Sequence, residues 1–301
     1  MRNFYYEDGE MFAEKIAMRS IAERYGTPSY IYSRAELTNN FLSYQGALGG
    51  KPHMVCYSVK ANSNIAVLNV LAKLGAGFDI VSGGELERVV TAGGAPEKII
   101  FSGVGKKPEE MQRALELGVY CFNVESEAEL EVLSDVAKSC GKIAPISLRV
   151  NPDVDANTHP YISTGLRENK FGIDIKKALQ VYLKIRNMDS LKIIGVDCHI
   201  GSQLTETAPF IDALKRILVL VDKLLDHNIQ IEHLDIGGGL GVCYKNESPP
   251  KIKDYVKKGN NFKILEIGGG YGGLAKILFS YNKKITYFSI DLLEGCLIQY
   301  Y

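Results

Sequence analysis

A lysine, a histidine, an arginine, an aspartate and a run of glycines hold the reactive potential of this sequence. Lys60 stands in "CYSVKANSN", at the end of an apolar run. An amine among apolar neighbours loses hydration, which lowers its pKa and frees it as a nucleophile; a solvated lysine at a strand end is the alternative. His199 and Ser202 fall together in "DCHIGSQ". An imidazole there could stack on a flat ring and the hydroxyl could hold a phosphate, although a single histidine is more often structural. In "LDIGGGLG", Gly238 and Gly239 follow a buried strand, so backbone N–H groups can converge on an anion with no Cβ in the way. A tight turn needing positive φ reads the same. Arg149 in "SLRVNP" adds a cation or pairs with an acid at the core edge. A phosphate-bearing aldehyde held as a Schiff base, pyridoxal phosphate, needs an amine, a ring-stacking group, a phosphate nest and an acid facing its pyridine nitrogen. The first three have candidates here.

These residues must be held by a regular frame. Strand-like runs recur at 53–61, 77–82, 98–103, 119–125, 146–152, 193–202 and 231–239, rich in Val, Ile and Phe. Such short apolar runs suit parallel strands buried on both faces. Amphipathic helices lie between them. "SNIAVLNVLAKLG" opens on a Ser/Asn cap and ends at glycine; "KPEEMQRALELG" has proline and two glutamates in its first turn. Serial β-α units imply a parallel sheet. Polar residues at nearly every strand end (Lys60, Asp79, Ser102, Glu125, Arg149, His199) favour a TIM-type (β/α)8 barrel over an open sheet, which would gather them at one switch point.

The bulk composition excludes several classes. The 301 residues are 46% apolar, and 35 basic residues balance 35 acidic ones, so no net field draws the chain to nucleic acid or to an anionic membrane. The six cysteines are scattered without a C-x-x-C pair, which points to reduced thiols and against a metal site. No signal peptide or spanning segment is evident, so the expectation is a cytoplasmic protein.

At the residues named above, the chain resembles the pyridoxal-phosphate-dependent decarboxylases with an alanine-racemase-like barrel. The matching text includes "YGTPSYIYSRAEL", "YSVKANSN", "GAGFDIVSGGELERV", "KIIFSGVGK", "FNVES", "GVDCHIGSQL" and "LDIGGGLGVCY", collinear from about residue 4 to 256. "HPYISTG" followed by "NKFGI" points to the diaminopimelate branch rather than the ornithine or arginine branches. The resemblance implies Lys60 as the Schiff-base lysine and His199 as the ring-stacking residue, with Asp79, Arg149, Ser202, Gly238 and Gly239 as cofactor contacts. It further implies α-decarboxylation of meso-diaminopimelate to lysine, an amino-acid substrate and a homodimer. "FYYEDG" and "YIYS" would belong to the edge of a second, mostly β domain.

The resemblance stops within "IKDYVKK", before the family's eighth strand with its Glu-Pro-Gly-Arg motif and its C-terminal β domain. Residues 1–256 are therefore read as the barrel and 257–301 as a separate, incomplete fragment. "FKILEIGGGYGGLAKILFSYN" is similar to the start of an S-adenosylmethionine-dependent methyltransferase, with Glu266, Gly268 and Gly270 in the turn and Asp291 placed for ribose hydroxyls. The glycines also match a dinucleotide fingerprint. Either fold needs a complete sheet, so S-adenosylmethionine is not the expected cofactor. Strand 262–268 is instead a candidate to fill the eighth barrel position, with Glu266 toward the ring nitrogen. The resulting expectation is a rearranged or truncated chain with impaired turnover. A racemase-like or non-catalytic pyridoxal-phosphate barrel and an inactive chimera are the alternatives, with a methyltransferase last.

Overall fold

The computed structural model describes residues 3–49, 52–154, 171–235, 237–243 and 246–252. Three short strands come first: β1 (Phe4–Glu7), β2 (Glu10–Ala13) and β3 (Ile16–Ala17), paired antiparallel in the order β1-β2-β3. Helices α1 (Met18–Tyr25) and α2 (Arg34–Leu48) follow. "FYYE" forms β1, at one end of this small sheet. "YIYS" is not a strand; it leads into α2, where Ser33 Oγ accepts the Glu36 N–H as N-cap.

The main sheet is parallel. It contains β4 (Cys56–Ser58), β5 (Gly77–Ile80), β6 (Ile99–Phe101), β7 (Cys121–Val124), β8 (Ala144–Asn151), β10 (Leu191–Asp197) and β11 (His233–Asp235); a two-residue strand β9 (Ile173–Asp174) pairs with β8 off this path. Neighbours run β11-β10-β8-β7-β6-β5-β4, so spatial order follows chain order without reversal. An open doubly wound sheet reverses at its switch point; monotonic winding is the signature of a TIM-type barrel. β4 and β11 are the two ends of this sheet. The expected eighth strand, 262–268, lies outside the described residues, as does the rest of the 257–301 fragment.

Helices α3 (Ile65–Lys73), α4 (Gly83–Thr91), α5 (Pro108–Leu117), α6 (Glu127–Ser139), α7 (Ile175–Ile185) and α8 (Ala208–Asp226) link the strands and pack on their outer face. Their starts are encoded locally. Asn64 Oδ1 accepts the Ala66 N–H, and Ser82 and Ser126 accept the N–H groups of Glu85 and Glu129. Those two glutamates reach back to the N–H groups of Val81 and Glu125, so one device anchors both helices to the strand before them. Leu68, Leu71, Leu86, Val89, Leu130, Leu133, Ile217 and Leu224 seal the layer between helices and sheet.

One irregularity interrupts the sheet. Between β8 and β10 the register slips at Ile193/Gly195. The buried Tyr182 of α7 closes the gap: its hydroxyl donates to the Gly195 carbonyl at 2.8 Å and accepts the Leu148 N–H at 3.3 Å. Burial pushes the phenol well above its ordinary pKa, which keeps it a donor. Tyr182→Phe is expected to leave two buried backbone groups unpaired and to lower unfolding stability by about 1–3 kcal/mol in urea titration; a change within error would show that the bulge needs no such plug.

Candidate active site

The strands deliver their C-terminal ends to one rim, and a cavity of about 400 Å³ opens there. Its wall gathers Lys60, Asp79, Ser102, Arg149, Asp197, His199 and the backbone of Gly103–Gly105 and Gly237–Gly238, with Phe171 from the segment before β9. A cavity of this size suits a small cofactor or substrate.

Lys60 sits one residue into a short 3-10 turn (Val59–Ala61) that follows β4. Its side chain is exposed. The sequence suggests an amine desolvated by apolar neighbours; the turn instead carries it off the strand to the open mouth, while Val59 takes the buried position. Near it, burial raises the Glu85 carboxyl above its ordinary range, the Val81 N–H draws it back, Asp79 raises it further and Lys60 opposes.

Asp79 is half-buried and accepts the Ser102 hydroxyl at 2.5 Å and the Ser58 hydroxyl at 3.4 Å. Arg149 does not project as an isolated cation. Its Nη1 donates to Glu125 Oε1 at 2.9 Å, its Nε lies 3.9 Å from Asp197 Oδ2, and its guanidinium covers the Phe171 ring with 5.0 Å to the centroid. Burial works against its charge, but Glu125, Asp197 and Asp79 more than offset this and hold its pKa above the ordinary value. Glu125 also accepts the Gly103 N–H at 3.2 Å, tying the 103–105 loop to the arginine. Below, Lys106 is buried, donating to the carbonyls of Gly103 and Asn123 and to Glu129 Oε1 at 2.6 Å.

The glycine turn and His199 are interlocked. Gly238 donates its N–H to His199 Nδ1 at 3.0 Å, so the neutral imidazole carries its proton on Nε2. Gly237 donates to Asp235 Oδ1 at 3.0 Å. Two of the three glycine N–H groups therefore have acceptors within the chain, and the run is not simply an open nest. What demands glycine here is close approach. A Cβ on Gly237 (φ +76°) would stand 2.5 Å from the Cys198 carbonyl oxygen, and one on Gly239 (φ +124°) 2.0 Å from that of Gly201. Gly239 and the half-buried Ser202 sit beside the cavity rather than in its wall.

The structure thus brings together Lys60, Asp79, Arg149, His199 and Gly238 of the residues singled out by sequence, and leaves Ser202 and Gly239 at the margin. Glu266, Gly268, Gly270 and Asp291 lie outside the described residues, as do 155–170, which hold "HPYISTG". Asp197, which ends β10 two residues before His199, and Phe171 in "NKFGI" carry polar-rim and aromatic signals in the sequence that single-residue reading passes over. No group of three or more metal-ligating side chains occurs among the described residues.

A family model, "Pyridoxal-dependent decarboxylase, pyridoxal binding domain", matches residues 34–261. The chain belongs to this decarboxylase family. It is 62% identical over 257 residues to the diaminopimelate decarboxylase of Pseudomonas aeruginosa, covering 85% of this chain and 62% of that protein. It is 58% identical over 253 residues to that of Vibrio cholerae, covering 84% and 61%. The fold is similar to the crystal structure of diaminopimelate decarboxylase from Helicobacter pylori complexed with L-lysine, with a TM-score of 0.82 at 37% identity over 91% of this chain and 65% of that one. The chain therefore spans about three fifths of the length of the curated relatives it matches. No helix among the described residues is long and apolar enough to cross a membrane.

Two measurements test the electrostatics of this decarboxylase-family rim. Glu85 has a raised folded-state pKa, so its contribution to stability is full below the unfolded pKa and is lost as pH rises through the folded one. Glu85→Gln is expected to gain stability relative to the parent as pH goes from about 4 to about 7, in denaturant melts at each pH; a difference independent of pH would contradict it. Lys106→Met strands the Glu129 carboxylate, whose side chain is only 10% exposed, and is expected to cost about 3–5 kcal/mol, read by the same melts; a loss below about 1 kcal/mol would mean that the pair is solvated.

Proposed function

We propose that this chain binds pyridoxal phosphate through Lys60 and serves the α-decarboxylation of meso-diaminopimelate to lysine. The observation that carries the reading is the single cavity that collects an accessible amine, an oriented imidazole, a fixed guanidinium and a carboxylate at the C-terminal rim of a barrel belonging to the pyridoxal-dependent decarboxylases. The diaminopimelate decarboxylases of P. aeruginosa and V. cholerae, and lysine in the H. pylori crystal structure, support the substrate class.

The residues present suit the cofactor. Lys60 projects into the open mouth, where an aldehyde can reach the amine without crossing the core. His199 presents a planar ring whose orientation and tautomer are set by Gly238. Backbone at Gly237–Gly238 comes close to the cavity because no side chain intervenes. When bound, the pyridoxal ring supplies the electron sink that loss of carbon dioxide requires.

The chain's own groups then bind, orient and move protons. The Lys60 amine would hold the cofactor's aldehyde, and as a free amine at the mouth it would serve as a base or acid. Arg149, clamped by Glu125 and stacked on Phe171, offers a positive face that does not reorganise when an anionic substrate arrives. Asp79, supplied with two hydroxyl donors, keeps acceptor character toward the cavity. His199 shields one side of the site and directs its Nε2 proton away from the Gly238 amide.

Pyridoxal phosphate titrated into the chain is expected to give the visible absorbance of a lysine-bound aldehyde, and borohydride reduction is expected to fix its mass on the peptide containing Lys60. Lys60→Ala should abolish both, together with carbon dioxide release from meso-diaminopimelate. Absorbance with no lysine formed would favour a binding or racemase-like barrel, and labelling at another lysine would overturn the assignment.

A further inference from the structure

Beneath the cavity, a line of hydrogen bonds crosses the barrel interior. Asp79 Oδ1 accepts from Ser102 Oγ at 2.5 Å; Ser102 Oγ accepts from Asn123 Nδ2 at 3.2 Å; the same Nδ2 donates to Asp235 Oδ2 at 3.4 Å; and Asp235 Oδ1 accepts the Gly237 N–H at 3.0 Å. Both ends of the line, Asp79 and Gly237, are cavity wall. Ser102 is cavity wall as well, but Asn123, 1% exposed, and Asp235, wholly buried, do not line it.

The bond directions leave one solution at position 123. Ser102 has a single hydroxyl hydrogen, given to Asp79, so it shows Asn123 only lone pairs. Asp235 is a carboxylate already taking the Gly237 amide and likewise shows only acceptor capacity. The Asn123 NH2 has two hydrogens and meets one acceptor with each, while its Oδ1 faces the Cys121 thiol at 3.9 Å. Its own carbonyl is held by Lys106. β7, which carries Asn123, is separated from β11, which carries Asp235, by two strands of the sheet, so the contact is a strut across the interior rather than a neighbour pairing.

Resting on the reading of the cavity as a pyridoxal-phosphate site, we propose that Asn123 is a positioning residue for the cofactor. Its amide, donating in two directions, sets the Asp79 carboxylate and the Gly237–Gly238 turn at a fixed separation on opposite sides of the site. The residue acts through both and touches no ligand. The titratable groups about it are Asp79 on β5, Cys121 on its own strand, Asp235 on β11 and the Lys106 ammonium, with Arg149 on β8 and Asp197 on β10 beyond them.

The test is pyridoxal phosphate affinity of the full chain, by absorbance of the lysine-bound form, for the parent, N123D and N123A, each variant compared with the parent at the same pH. N123D has the same shape but sets acceptors against acceptors. It is expected to weaken binding about tenfold or more at about pH 8.5, with the deficit closing as pH falls, because the introduced carboxyl, raised by burial and by Asp235, takes up a proton and donates again. N123A removes the donor altogether and is expected to show a comparable deficit at every pH, which also carries the test should N123D not fold. Parent-like affinity in either variant overturns the proposal. Equal, pH-independent losses in both variants also overturn it, since they mark a packing role. A parent that takes up no pyridoxal phosphate overturns the reading of the cavity and this assignment with it.

Discussion

The Arg149 guanidinium lies inside the rim of the parallel sheet, and it can stay there only while Glu125 and Asp197 flank it. Burying a charge costs several kcal/mol unless it is paired and its remaining hydrogen-bonding groups are satisfied. That requirement organises the site. Glu125, recruited to pair with Arg149, also takes the Gly103 amide; Glu129 takes the Glu125 amide; and Lys106, neutralising Glu129, holds the Gly103 carbonyl. Burial raises the Glu129 carboxyl, and Lys106 draws it back, so the second pair depends on close contact as the first does. The 103–105 loop is thereby gripped at both ends of one residue, and the cavity wall it forms is set by charge pairing rather than by loop packing.

A second constraint acts across the opposite side. The turn at 237–241 presses on the 199–204 loop at distances that admit no Cβ at Gly237 or Gly239. Leu204 N donates to the Gly239 carbonyl and Gly241 N to the Leu204 carbonyl, so the two loops pair like a short strand extension. This contact is what places a backbone amide against His199 Nδ1. Catalytic groups gain most from such rigidity, because an oriented donor or dipole need not reorganise during the reaction.

Much of the frame is legible locally. The seven principal strands fall at the apolar runs, and the helix starts are written locally: Asn64, Ser82 and Ser126 are caps that act over two or three residues, and Pro108 is the first residue of α5. Strand limits are less legible. The runs at 53–61 and 231–239 contract to 56–58 and 233–235, because pairing ends where the chain turns to build the rim, although apolar residues continue. Lys60, Asp79, Arg149 and His199 are visible as polar residues at strand ends. Asn123, Asp197 and Lys106 are not, since each reads in isolation as an ordinary strand or loop residue.

By itself the sequence determined the succession of β-α units, the helix boundaries, the residue types available at each strand end and, through collinear motifs, the decarboxylase family. These depend on periodicity and on contacts a few residues apart. The tertiary structure alone decided that Lys60 faces open solvent at the mouth, that Arg149 is clamped rather than free, that Gly237 and Gly238 spend their amides on Asp235 and His199, and that Asn123 reaches Asp235 112 positions away. The physical reason is that hydrogen bonds and ion pairs require atoms within about 3–4 Å, and which side chains meet at that range across a barrel is set by sheet register and curvature, which no local stretch of chain encodes.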